Sequence, residues 1–198
     1  MPMTVVGITG GIGAGKSVVS RVLRCKRFEV YDCDLEARRL MDASVALKEA
    51  IAARLGRECL SADGELNRAE IARIIFGDES HRLWLNSMVH EMVHRDLERR
   101  LEANGDGVLF IESAILRTSR LDSLCGRIWL VDAPEEVRLS RACGRDSADA
   151  ARIRARMEAQ RDEFGDFGDL PVAVIYNDGI APLLPQIENQ LSKILENA

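Results

Sequence analysis

Five short apolar runs punctuate this chain: Thr4–Thr9, Phe28–Tyr31, Val108–Ile111, Ile128–Val131 and Val172–Tyr176. They are continuous rather than alternating, the pattern of strands buried on both faces. Each is followed by apolar positions at helical spacing, and strand–helix alternation of this kind predicts an α/β fold, an open parallel sheet of about five strands flanked by helices. Between the second and third runs lie roughly 75 residues with no strand signal. There Leu35–Leu55, Asn67–Phe76 and Ser80–Leu101 carry i, i+3, i+4 spacing, with Leu85, Met88 and Met92 in the last. The spacing predicts a helical insertion over 35–103 within a single domain over 1–198. Ligands of such sheets bind at the carboxyl ends of the strands, so an insertion there is expected to build a substrate site. A second special stretch, 143–169, sets Gly144, Gly165 and Gly168 around an arginine-rich helical segment and ends before Pro171; it is expected to act as a lid.

The loop after the first strand reads Gly10-Gly11-Ile12-Gly13-Ala14-Gly15-Lys16-Ser17, the G-x-x-x-x-G-K-[ST] phosphate cradle of P-loop proteins. Its glycines let the backbone wrap with N–H groups turned inward, and the helix that follows adds its positive end. The expected phosphate contacts are Gly11, Ile12, Gly13, Ala14, Gly15, Lys16, Ser17 and Val18, with Lys16 reaching the β- and γ-phosphates and Ser17 ligating the Mg²⁺ that accompanies ATP.

Carboxylates stand at the ends of neighbouring strands. Asp32 and Asp34 follow the second run, where an acid can deprotonate an acceptor hydroxyl or reach Mg²⁺ through water. Asp34 serves equally well as a helix cap. Glu112 ends the third run and is the favoured acidic partner; Asp132, before Ala133-Pro134, reads as a turn residue or cap. Arg138, Arg141, Arg145, Arg152, Arg154, Arg156 and Arg161 fall close together, and Arg141 and Arg145, next to the lid hinge, are expected to meet phosphate. Arg152 is read as a solvated residue. His90-Glu91-Met92-Val93-His94 spells the zinc-peptidase string H-E-x-x-H, yet only His81 remains as a third histidine ligand, so no structural zinc is expected.

Composition narrows the partners. The 198 residues are 46% hydrophobic with net charge −5, which argues against a general nucleic-acid or membrane-surface binder. Five cysteines form no C-x-x-C pair, and neither a signal-like segment nor an 18-residue apolar run occurs; a reduced, cytoplasmic protein is expected.

The sequence resembles the dephospho-CoA kinase family over nearly its whole length. The resemblance is carried by Thr9 through Ser17, Asp32-Cys33-Asp34 with Ala37-Arg38, Leu66-Asn67-Arg68, Ile75-Phe76, Leu85-Asn86 with His90, Arg141-Ala142-Cys143-Gly144-Arg145-Asp146, Gln160, and Ile175-Tyr176-Asn177-Asp178-Gly179. It implies that ATP phosphorylates the ribose 3′-hydroxyl of dephospho-CoA, with Asp32 as base and Lys16 and Arg141 on the phosphates. It further implies that Arg145 and Asn177 lie on ATP, Asn177 near the adenine, and that the helical insertion holds the acceptor, with Arg38, His90 and Glu112 joining Asp32 on that side. The family usually has His-Pro where this chain has His90-Glu91, and Pro-Leu-Leu where it has Ala114-Ile115-Leu116. Another P-loop small-molecule or nucleoside monophosphate kinase is the alternative. A GTPase-type switch would carry Asn-Lys-x-Asp, which is missing here.

Overall fold

A computed structural model of the chain describes residues 3–103, 105–146 and 148–196. Its described residues divide into two compact units, Cys33–Ala103 and the remainder.

The larger unit is built on five strands, β1 Thr4–Thr9, β2 Glu29–Asp32, β3 Val108–Glu112, β4 Arg127–Asp132 and β5 Val172–Tyr176. All pairings are parallel and the order is β2-β3-β1-β4-β5. Helix α1, Lys16–Cys25, turns its Val19 and Leu23 onto one face of the sheet, where they meet Ile187, Leu191 and Ile194 of the C-terminal helix Leu183–Leu195. Phe110 at the centre of that core packs edge-on against Phe28 at 5.6 Å and tilted against Trp129 at 5.1 Å. β1 is buried almost throughout because covered strands flank it on both sides, which is why its sequence shows no polar alternation.

The smaller unit is helical: α2 Cys33–Ala43, α3 Val45–Leu55, α4 Arg68–Gly77 and α5 Glu79–Ala103. Leu47, Ile51, Leu55, Cys59, Ile71 and Leu85 form its own core. The expected single helix Leu35–Leu55 is two helices, because the Ser44 hydroxyl accepts from the Leu47 N–H and starts a new one. Asn67 caps α4 in the same way.

Two further helices, α6 Glu135–Asp146 and α7 Ala150–Glu158, lie between β4 and β5, followed by a 3₁₀ turn at Arg161–Phe164; the C-terminal helix is α8. The expected lid therefore begins inside α6. α7 is docked rather than detached, with Ile153 buried against Ile12, Leu139 and Ala142. The cysteines are all free thiols, and burial pushes Cys125 up to about 12. No helix among the described residues is long and apolar enough to cross a membrane.

Candidate active site

β1 delivers the chain to the phosphate loop at the middle of the sheet. Gly13 and Gly15 take φ of +78° and +100°, a region that favours glycine, and the N–H groups of these two residues donate to no acceptor among the described residues. The Ala14 N–H closes the turn onto the Gly11 carbonyl at 3.1 Å. α1 then starts at Lys16, so donors of the loop and the helix end converge on one concavity, the arrangement that binds phosphate. The Lys16 ammonium folds over the loop and donates to the Gly10 carbonyl at 2.7 Å. Ser17 and Val18 are exposed in the first turn of α1.

Two carboxylates stand beside the loop. The β2–β3 ladder extends one residue past each predicted strand end, so that Asp32 registers opposite Glu112, and Glu112 in turn registers with Ile8 of β1. Glu112 is 9% exposed and its Oε2 is buried with no hydrogen-bond partner among the described residues. Burial pushes its carboxyl above the usual range. Asp32 adds to the rise, while the Ser20 hydroxyl, Lys16 and Arg24 pull the other way. The Arg24 guanidinium lies 3.9 Å from Asp32.

Cations come from α6. Arg141 donates to the Asn177 carbonyl at 2.7 Å, and the Asn177 side-chain amide donates to the Ala14 carbonyl at 2.8 Å. Arg145 and Arg156 both pair with Asp146, at 2.7 and 2.8 Å, and these two hold Asp146 down at about 2. Arg154 and Arg161 pair with Glu136 and Glu158. Arg152 is exposed, as expected of a solvated residue. Asp132 accepts from the Ala133 N–H, in keeping with a turn role.

Sequence reasoning missed Arg138 as a wall of the loop. Its Nη1 lies where a side chain on Gly11 would begin, 2.0 Å from an added Cβ, and its carbonyl oxygen comes within 2.1 Å of one on Gly13. The only available signal was its place one turn before Arg141. The buried Thr9 hydroxyl, without a partner among the described residues, and the buried Ser20 hydroxyl beside Glu112 were missed too, since a Ser or Thr in an apolar segment gives no pattern of its own.

Arg38 and His90 belong to the helical unit. Arg38 is exposed on α2, and His90 is half-buried on α5. On the same helix Glu91 pairs with Arg95, and His94 Nδ1 lies 3.4 Å from Glu98 Oε1, each one turn on. Asp34 stands inside the first turn of α2, where its charge suits the helix dipole.

The dephospho-CoA kinase family model matches residues 4–180. A dephospho-CoA kinase of Aggregatibacter actinomycetemcomitans is 36% identical over 190 residues, which is 94% of this chain and 90% of that protein. One of Porphyromonas gingivalis is 41% identical over 162 residues, 81% and 79% of the two chains. A solved structure from Thermus thermophilus superposes with a TM-score of 0.79 at 29% identity, covering 100% of this chain and 98% of its own. A phosphate loop, strand-end carboxylates and a helix-borne arginine on one sheet edge are what phosphoryl transfer requires, and with these matches the chain belongs to the dephospho-CoA kinase family, P-loop kinases that phosphorylate dephospho-CoA with ATP.

Proposed function

We propose that the transfer goes to the ribose 3′-hydroxyl of dephospho-CoA, with Asp32 as the general base. The observation that carries this reading is the register of Asp32 against Glu112 beside the phosphate loop, with the Arg24 guanidinium 3.9 Å from Asp32. Gly11, Ile12, Gly13, Gly15 and Ser17 hold the ATP phosphates through their N–H groups, and Ala14 and Val18, whose N–H groups close onto the Gly11 and Gly15 carbonyls, line the same cradle. Lys16 swings from the Gly10 carbonyl onto the β- and γ-phosphates, and Arg141 and Arg145 neutralise charge from the α6 side. Arg145 must exchange Asp146 for phosphate to do so. The helical insertion, 35–103, binds the acceptor through Arg38 and His90, and 143–169 serves as the lid.

The residues present suit Mg²⁺. Ser17 offers an exposed hydroxyl at the loop, and Asp32 and the unmatched Glu112 Oε2 are hard oxygen donors for direct or water-mediated contact. When bound with ATP, the ion offsets charge on the β- and γ-phosphate oxygens. On this reading the partners are ATP and dephospho-CoA, met in the cytoplasm, and nucleic acid, membrane and zinc have no part.

Asp32→Asn tests the assignment, since it keeps the shape and removes the base. Steady-state assays are expected to show kcat down by about 10²–10⁴-fold with KM for ATP little changed. A rise in KM for ATP with kcat little changed would remove the base role and leave Asp32 as a nucleotide or metal ligand only.

A further inference from the structure

Asn177 uses its N–H, its carbonyl and its side-chain amide on three different elements. The backbone N–H donates to the Asp132 carbonyl at the end of β4, at 2.8 Å. The backbone carbonyl accepts from Arg141 Nη1 of α6, at 2.7 Å. The side-chain Nδ2 donates to the Ala14 carbonyl of the phosphate loop, at 2.8 Å. The approach to the loop is so close that a Cβ on Gly15 would lie 2.0 Å from Nδ2.

The segment around Asn177 is itself fixed. Before it, the Gln186 side chain of α8 bonds both the N–H and the carbonyl of Tyr176, each at 2.9 Å. After it, Asp178 Oδ1 accepts from the N–H groups of Ile180 and Ala181, both at 2.8 Å, and these bonds hold the Asp178 carboxyl below its ordinary range. A residue clamped on both sides transmits position rather than absorbing it.

We propose that Asn177 is a positioning residue: it pins the phosphate loop through the Ala14 carbonyl and holds Arg141 at a fixed place beside that loop, acting on the phosphates through both and not as a reader of the adenine. One of the two Nδ2 hydrogens is given to the Ala14 carbonyl and the backbone carbonyl is taken by Arg141, so the residue is tied to the loop and to α6 at once. Turning the Ala14 carbonyl toward Asn177 orients the neighbouring peptide units, so the open N–H groups of Gly13 and Gly15 are set before any ligand arrives. Pre-set donors cost no ordering when the anion binds. The proposal rests on the reading of this loop as the phosphate site.

Inorganic tripolyphosphate, which has no base, separates the two roles. Inhibition of the full-length enzyme by tripolyphosphate, competitive against ATP, is to be measured for wild type, Asn177→Ala, Asn177→Ser and Asn177→Asp, together with KM for ATP and the unfolding temperature of each. A brace predicts that the tripolyphosphate Ki and the KM for ATP rise by the same factor, about tenfold for Ala, which leaves the Ala14 carbonyl unmatched. Ser, which keeps a short donor, is expected to recover part of the loss, and Asp to do worst because its carboxylate opposes that carbonyl. A Ki unchanged while KM rises would assign Asn177 to the base and overturn the proposal, as would the absence of any effect in a folded Asn177→Ala. Should Asp fail to fold, Ala and Ser carry the comparison. Should tripolyphosphate fail to compete with ATP in the wild type, the phosphate-loop reading falls first.

Discussion

Replacing Glu112 by Gln separates what the residue costs the fold from what it does for the reaction. The carboxyl sits at the end of β3, almost wholly buried, with Oε2 unmatched and Asp32 registered opposite. An unmatched buried polar atom costs about 1–3 kcal/mol, more when it is charged. A neutral amide of nearly the same shape removes the charged part of that penalty and the repulsion from Asp32, and is expected to stabilise by about 1 kcal/mol, which is about 2–4 °C in Tm for a chain in this size class. Because burial raises the folded-state pKa, the folded protein binds more protons than the unfolded one as Glu112 titrates. Stability of the wild type is thus lost as pH rises from the ordinary carboxylate range through the raised value. Thermal melts from pH 4 to pH 8 are expected to show Gln and wild type converging at the acid end, with Gln ahead at the neutral end. Turnover is expected to fall, as the Gln amide cannot supply an anionic oxygen toward the metal or the acceptor. A Gln variant that melts below wild type at pH 8, or gains nothing over that range, would refute the burial argument; full kcat would remove Glu112 from the site.

Arg141→Lys is expected to lower kcat/KM for ATP by about tenfold or more, because a point charge cannot keep the Asn177 carbonyl at 2.7 Å and also offer a planar pair of donors, whereas Arg152→Lys on the exposed surface of α7 changes it less than twofold; equal effects would make the arginine run compositional. Gly13→Ala puts a Cβ 2.1 Å from the Arg138 carbonyl oxygen at φ +78°, strain of about 1–3 kcal/mol focused on the cradle, so KM for ATP is expected to rise steeply; Gly77→Ala, at the end of α4 with nothing within 4 Å, is the helical control and leaves KM for ATP unchanged.

The central strand was legible because burial on both faces leaves an uninterrupted apolar signature, and Thr4–Thr9 matches β1 residue for residue; Val172–Tyr176 also matches its strand, but as the sheet edge it leaves Val172, Val174 and Tyr176 exposed, against the expectation of a strand buried on both faces. The ends of β2 and β3 were not, since a polar residue can continue the ladder while ending the apolar run; Asp32 and Glu112 each extend their strand by one residue. That single step matters, for it converts two loop acids into a registered pair. The split at Ser44 depends on a side chain competing for a backbone N–H, a local event that helical periodicity cannot register. Arg138 and the Asn177 brace depend on α6 and the β5 turn coming to the loop from more than a hundred residues away, contacts no window of sequence contains.

Strand order decides how those distant residues are sorted by charge. With β1 central, its loop has β3 and β2 on one side and β4 and β5 on the other. The chain ends its first-side strands in Glu112 and Asp32, and sends from the second side α6 with Arg138 and Arg141 and the turn bearing Asn177. The two registered acids therefore stand on one flank of the phosphate loop and the α6 arginines on the other. Asp32 is held on the β3 side of the loop, 3.9 Å from Arg24 and apart from the α6 arginines proposed to meet phosphate.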